Sequence, residues 1–208
     1  MEIICLPVGS LQTNCYLITD EETRQTLIID PGDEADFIST TILEKRLIPQ
    51  AILLTHGHYD HCLGVLELKL NFQIPIYLHQ ADLFLYQRSQ STAEHFSNIK
   101  IPRLPPIDFY FSDNQIITFG NSSLQVIHTP GHTPGSVCFL SDSHLFTGDT
   151  FFATGIGSTN HKYSSKSDLQ NSLKKLSDIC NLRPEISVYP GHEDYGIPLW
   201  STHFLPSF

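Results

Sequence analysis

Four potential metal donors stand within six residues in the stretch His56-Gly57-His58-Tyr59-Asp60-His61. Two imidazoles at i and i+2 on a loop can converge on one ion, and Asp60 with His61 can then turn toward a second. The second of these donors, His58, belongs to a pattern that recurs four times: an apolar run ends, a glycine follows, and the next residue is His or Asp. The runs are 51–54 before Gly57-His58, 124–128 before Gly131-His132, 144–146 before Gly148-Asp149, and 186–189 before Gly191-His192. Each unit sets a ligand-type side chain just past a buried strand, where glycine lets the backbone turn sharply and approach a site closely. If these strands run alike in two sheets, the donors collect at one rim. Imidazole with carboxylate suits zinc, iron or manganese, and a set without thiols argues against a closed structural zinc site. A lone Gly-His pair is ordinary loop chemistry, whereas seven donors in this order form a specific pattern.

The elements that must hold these residues are short. Stretches 3–8, 15–19 and 26–30 are apolar and β-rich, and Asp30-Pro31-Gly32 turns the chain. The spacing of Phe37, Ile38, Ile42, Leu43 and Leu47 predicts a helix over 35–47. A buried strand over 51–54 is followed by a helix over 62–70, with Leu63, Leu66 and Leu70 on one stripe, a strand over 74–78 and a short helix over 80–87. Proline crowding in Ile101-Pro102-Arg103-Leu104-Pro105-Pro106 makes a connecting loop. Strands follow over 116–119, 124–128, 136–140 and 144–146, then a helix over 166–180 with Leu169, Leu173 and Leu176 inward, then a strand over 186–189. Consecutive strands alternating with helices predict an α/β fold of two sheets with helices outside, not a barrel. The aromatic stretch Trp200, Phe204 and Phe208 is expected to pack onto its own domain.

Composition narrows the function classes. The 208 residues are 40% hydrophobic and 16% charged, which fits one globular domain. A formal charge of -10 without any Lys/Arg cluster disfavours nucleic acid and membrane partners. The sequence shows no secretory signal pattern and no apolar run near the ~20 residues that cross a bilayer, so a cytoplasmic location is expected. Cys5, Cys15, Cys62, Cys138 and Cys180 form no C-x-x-C pair and read as reduced, mostly buried thiols. His79, His95, His128, His144, His161 and His203 show no ligand spacing, although His161 lies in the loop after Asp149. Neither a G-x-S-x-G nucleophile turn nor a phosphate-binding glycine loop is present.

On these motifs the chain resembles the metallo-β-lactamase superfamily. The segment His56-x-His58-x-Asp60-His61 matches its defining signature. His132 in TPGHTPGS, Asp149 in TGDTFF and His192 in YPGHE follow in the family's order, with NCYLI (14–18) and LIIDPG (27–32) similar to its early strands. The resemblance spans nearly the whole chain. It implies a four-layer αβ/βα sandwich, two mixed sheets flanked by helices, as a single domain over 1–208 with its metals at one edge. It assigns His56, His58 and His132 to one ion, Asp60, His61 and His192 to a second, and Asp149 to both. Asp30 would stand behind the ligands and orient one of them. The implied cofactors are two divalent metal ions, zinc first, with iron or manganese as alternates.

Within the superfamily, TPGHTPGS and GDTFF are most similar to glyoxalase II-like hydrolases of the short kind, which lack the C-terminal helical substrate domain. The implied reaction is hydrolysis of a small thioester or ester, an S-2-hydroxyacylglutathione type among them. A metal-bound hydroxide would be the nucleophile, oriented by Asp60. Where short relatives read Gly-Arg-Thr-Asp, this chain has Gly157-Ser158-Thr159-Asn160 and so lacks an arginine for a substrate carboxylate. Lys162 and Tyr163 are the candidates to replace it in substrate binding. The alternative is a mononuclear-iron persulfide dioxygenase of the same fold, using His58 or His56, His132 and Asp149. A β-lactamase is less favoured, because many carry Cys where Asp149 stands. A non-catalytic metal-binding protein is disfavoured by the presence of all seven donors. The expected partner is a small-molecule substrate, with no nucleic acid and no membrane; a homo-oligomer is left open.

Overall fold

Strand β2 (Thr13–Thr19) buries all seven of its residues. Its two-residue alternation therefore serves two apolar faces: Cys15 and Leu17 enter one cluster, Tyr16 and Ile18 another. That double burial places a sheet in the interior with layers on both sides. The computed structural model describes residues 1–181, 183 and 185–199. Trp200, Phe204, Phe208 and His203 lie outside the described residues.

The first sheet takes β1 (Glu2–Val8), β2, β3 (Gln25–Ile29), β4 (Ile48–Leu53), β5 (Ile76–Leu78) and β6 (Phe109–Tyr110) in chain order. Its first two pairings are antiparallel and its last three parallel. The second sheet takes β7 (Ile116–Phe119), β8 (Ser122–His128), β9 (Val137–Leu140), β10 (His144–Gly148), β11 (Ser187–Pro190) and β12 (Ile197–Pro198), also in chain order. Among the described residues its only parallel pairing is β10 with β11.

Three apolar seams bind the layers. Leu17, Ile28 and Ile52 pack against Ile38 and Ile42 of α1 (Ala35–Glu44) and Val65 and Leu68 of α2 (Val65–Phe72), with Tyr86 of α3 (Leu83–Ser97). Between the sheets lie Tyr16, Ile18, Ile29 and Leu53 against Val126, Phe139 and Phe146. On the far side Ile127, Leu145 and Val188 meet Leu169, Leu173 and Leu176 of α4 (Lys166–Cys180). Each of those leucines contributes roughly 1.5–3 kcal/mol by leaving water. Ser165 starts α4 by accepting the backbone N–H of Asp168 at 3.2 Å. The result is helix, sheet, sheet, helix: the expected αβ/βα sandwich.

Three expectations shift. Helix α2 begins at Val65 after a 3-10 turn (Tyr59–His61), so its inward stripe is Val65 and Leu68, while Leu70 is 68% exposed. In α1 Ile38 and Ile42 turn inward as read, but Phe37 and Leu43 face solvent. The helix read over 80–87 is α3, which runs on to Ser97 because Leu85, Tyr86, Ser89 and Ala93 form its buried face. The five cysteines are unpaired; four are buried and Cys5 is half-buried. Among the described residues no helix is long and apolar enough to cross a membrane.

Strands β3 and β4 run parallel, β10 and β11 run parallel, and two antiparallel steps through β9 return β8 to the direction of β10. The turns that follow these strands carry the donors predicted from the sequence.

Candidate metal centre

The turns are built for close approach. Gly148 closes β10 at φ +48°, a left-handed conformation that side chains resist. A Cβ on Gly191 would lie 2.4 Å from Asp149 Oδ1 and 2.8 Å from His61 Cε1, so the turn after β11 admits no side chain there. Strand β2 reaches across to hold that same turn: Tyr16 OH donates to the Pro190 carbonyl at 2.6 Å, and Asn14 Nδ2 donates to the Pro190 and Glu193 carbonyls at 3.1 and 3.0 Å.

These turns bring all seven predicted donors together. His56, His58 and His132 form one group and Asp60, His61 and His192 another, the donor atoms of each lying within 4.8 Å of one another. Asp149 stands between them. Its Oδ1 is 3.5 Å from His61 Nε2, and its Oδ2 is 3.7 Å from both His132 Nε2 and His192 Nε2.

The outer nitrogen of every imidazole faces an oxygen. His132 Nδ1 lies 2.9 Å from the Ser158 carbonyl and His192 Nδ1 lies 3.1 Å from the Leu11 carbonyl. Carbonyl oxygens only accept, so both outer nitrogens carry the proton. His61 Nδ1 donates to Asp30 Oδ2 at 3.0 Å. Thr55 Oγ1 gives its own proton to Asp30 Oδ2 at 2.6 Å, which leaves it to accept from His56 Nδ1 at 3.0 Å. His58 is reversed, with Nε2 outward at 2.8 Å from Tyr163 OH.

The inner nitrogens are then bare lone pairs facing one another. His58 Nδ1 is 2.9 Å from His56 Nε2 and 3.1 Å from His132 Nε2, and His61 Nε2 is 3.3 Å from His192 Nε2. Asp149 Oδ1 is buried without a hydrogen-bond partner. Converging lone pairs and an orphaned carboxylate oxygen are costly together unless a cation sits among them. The donor set fits divalent metal ions.

The charges agree. Burial, together with the neighbouring imidazoles, pushes His56 well down, and burial with His132 pushes His58 down to about 3, so both rings are neutral ligand forms. Burial opposes a charge on His61, but Asp149, Asp60 and Asp30 outweigh it and push the ring up to about 10. Burial also works against the Asp60 carboxylate, which His61 and His192 nevertheless hold below its usual range. Three carboxylates around one imidazole call for positive charge, which a proton on His61 supplies when no ion does.

Asp30 is more than a turn residue: it is 1% exposed, holds φ +49°, and accepts the Thr55 N–H at 2.7 Å besides its bond to His61. Tyr163 packs its ring on His161 at 5.1 Å and edge-on to Phe84 at 5.7 Å, at the mouth of the cluster. His161 is there too, 5.4 Å from the His58 ring, whereas Lys162 beside it is exposed.

Sequence reading missed three parts. Thr55 links Asp30 to His56. Ser158 acts through its carbonyl, so its side chain carried no signal. Asp82, fully buried, accepts from Gly57 N–H at 2.9 Å, Thr133 Oγ1 at 2.7 Å and Gly135 N–H at 2.6 Å, tying the His56–His58 loop to the His132 loop. Only its place before a polar helix hinted at it.

The superfamily pattern described as "Metallo-beta-lactamase superfamily" matches residues 8–192. The chain is 33% identical over 198 residues to hydroxyacylglutathione hydrolase GloC of Haemophilus influenzae, covering 94% of this chain and 92% of that protein. Among solved structures, the BLEG-1 B3 metallo-beta-lactamase matches with a TM-score of 0.86 and 30% identity, over 99% of this chain and 100% of that one. TTHA1623, in a di-iron-bound form, matches with a TM-score of 0.84 and 33% identity over the same 99% and 100%. Motif order, sheet order and these full-length matches agree: the chain belongs to the metallo-beta-lactamase superfamily, among its metal-dependent hydrolases.

Proposed function

We propose that this chain hydrolyses a small thioester or ester at a centre of two divalent metal ions, zinc in the first place and iron or manganese as alternates. The observation that carries the reading is proton placement. Five imidazoles commit their outer nitrogens to oxygens and turn their inner lone pairs toward one another, and those of His61, His132 and His192 also face Asp60 or Asp149. His56, His58 and His132 would hold one ion, Asp60, His61 and His192 the other, and Asp149 both. The hydroxyacylglutathione hydrolase name of one relative supports thioester chemistry, and the di-iron form of TTHA1623 supports two ions and keeps iron in view.

Bound there, the ions would supply Lewis acidity to a carbonyl oxygen and lower the pKa of a water toward about 7. The chain's own residues do the rest. Asp60, with 15% of its side chain exposed, stays ionised and would accept a hydrogen bond from the attacking water, which fixes the water's orientation. Tyr163 accepts from His58 Nε2–H, so its own O–H is free to donate to a substrate oxygen at the mouth. Burial, with Asp82 and Asp60 nearby, raises the Tyr163 pKa and keeps that proton in place. Asp30 and Thr55 hold His61 and His56 in their ligand orientation.

The test is elemental analysis of protein purified without chelators or a nickel column, followed by a panel of thioesters, esters and, given BLEG-1, a β-lactam. Near two equivalents of zinc, iron or manganese with thioester or ester turnover supports the proposal. One equivalent of iron with persulfide-dependent oxygen uptake replaces it with the dioxygenase, through His58 or His56, His132 and Asp149. No metal, with none regained on adding zinc or iron, removes it.

A further inference from the structure

Beside Asp60 the surface sinks into a cavity of about 170 Å³. The β1–β2 turn, the 3-10 turn with Leu63, and the C-terminal end of α3 enclose it. Val8, Leu11, Leu63, Ala93, Phe96 and Ile99 supply most of its wall, and Tyr59 stacks on Phe96 with ring centres 5.9 Å apart. Its charged lining residues are Asp33 and Asp60; among the described residues no Lys, Arg or His lines it. Leu11, Phe96 and Ile99 remain 51%, 68% and 65% exposed. A single exposed apolar side chain needs no explanation, but three around one cavity beside a reaction centre mark a ligand surface.

We infer that this cavity receives the acyl chain of the substrate, and that the chain is an uncharged alkyl group of several carbons; the inference rests on the hydrolase reading above. Charge disfavours an anionic occupant: a carboxylate inside the cavity would meet Asp33, and among the described residues no Lys, Arg or His lines the wall to pair with it. Size admits a chain. About 10–15 Å³ of such space suffices for one water, so the cavity has room for several methylenes. Position separates acyl from thiol. Helix α3 spans two flanks of the centre, with Phe84 in its first turn touching Tyr163 and Phe96 near its end lining the cavity. The Tyr163 flank is polar and open, with His161 and Lys162 exposed, and it is where a bulky thiol carrier has room.

The experiment uses the metal-loaded protein and straight-chain acyl thioesters of N-acetylcysteamine from two to ten carbons. We expect kcat/KM to rise roughly fourfold per methylene while the cavity fills and then to level or fall within the series. Phe96→Asp, at an exposed position that leaves the core intact, should cut the six-carbon to two-carbon ratio at least tenfold. A profile flat in chain length, or a ratio unmoved by F96D, overturns the inference. Binding is read separately from the methyl NMR signals of Leu11, Leu63 and Ile99 during titration with the uncleavable hexyl ketone analogue. Saturable shifts at these methyls support the cavity, and none overturns it. Should the protein cleave no thioester while the ketone still shifts these methyls, the hydrolase reading falls and the alkyl site stands. Should it cleave every length equally with no shift, the hydrolase reading stands and the cavity falls.

Discussion

Thr55 gives no lone pair to the cluster, yet its hydroxyl decides the proton on two ligands. It donates to Asp30 and thereby accepts from His56, while the same Asp30 oxygen accepts from His61. Thr55→Val keeps the shape and deletes the relay. Metal affinity, read by competition against a coloured chelator, should fall by about 10–100-fold with the fold retained; an unchanged affinity would show that the ring orientations are set by packing alone. Tyr163 stands on the opposite side of the same logic. Tyr163→Phe removes an acceptor from His58 and a donor from the mouth, so kcat should fall by about tenfold or more while two equivalents of metal remain bound. A fall in metal content that accounts for the whole loss would make Tyr163 a ligand-positioning residue only. Asp30 adds local strain, since a residue preceding proline avoids helical backbone and this one sits at φ +49°. Conformations of this kind cost about 1–3 kcal/mol and persist where surrounding bonds hold them, here those to Thr55 and His61.

At the scale of elements, the legible parts were those whose signal is local. The glycine-donor turns, β2, β3 and the leucine stripe of α4 carry their pattern within a few residues. The stripe of α2 was misread because the 3-10 turn before it resets the helical phase. The length of α3 was missed because its inward positions include Ser89 and Ala93, which are not apolar enough to show a period. The two-residue edge strands β6 and β12 are too short to alternate. Asp82 was invisible for a different reason: its partners, Gly57, Thr133 and Gly135, are distant in sequence. Asp82→Ala should leave those donors buried and unsatisfied and lower stability by about 3 kcal/mol in urea unfolding. A loss below about 1 kcal/mol would mean that the two loops are held by other contacts. Asp20 makes a similar tie at the other end of the sheets, accepting from Thr23 N–H and Oγ1 in the β2–β3 turn and from Asn121 N–H and Ser122 Oγ in the β7–β8 turn. The Ser122 hydroxyl and the Thr23 N–H hold its carboxyl down at about 2, against an ordinary 3.8. A depressed carboxyl stabilises the fold above the ordinary value, and that contribution is lost as pH falls toward about 2. Melting curves from pH 5 to 2 should therefore decline less steeply for Asp20→Asn than for the wild type; parallel declines would refute the tie.

For the molecule as a whole, the centre is a bridge. His56, His58, Asp60 and His61 come from turns of the first sheet, and His132, Asp149 and His192 from turns of the second. Ions held between them link the two halves of the sandwich, so their removal should loosen it. At free metal of 100 times Kd, each ion would stabilise the folded state by about 2.7 kcal/mol. Calorimetry should show a lower Tm after chelation and its recovery on adding metal. Equal melting points with and without metal would separate binding from stability.

The order of the strands has a consequence for how the protein is made. Both sheets follow chain order, and the chain passes from one to the other once, between Tyr110 and Ile116. Synthesis from the N-terminus therefore delivers a complete first sheet holding four donors before any residue of the second exists. Asp149, which reaches both donor groups, arrives late, and His192 later still. An ion captured early meets half a cage, and the centre cannot close until the second sheet has docked on the first. The gene's order thus sets the order in which the cage is completed: the first sheet is built, then the second docks on it and closes the donor set.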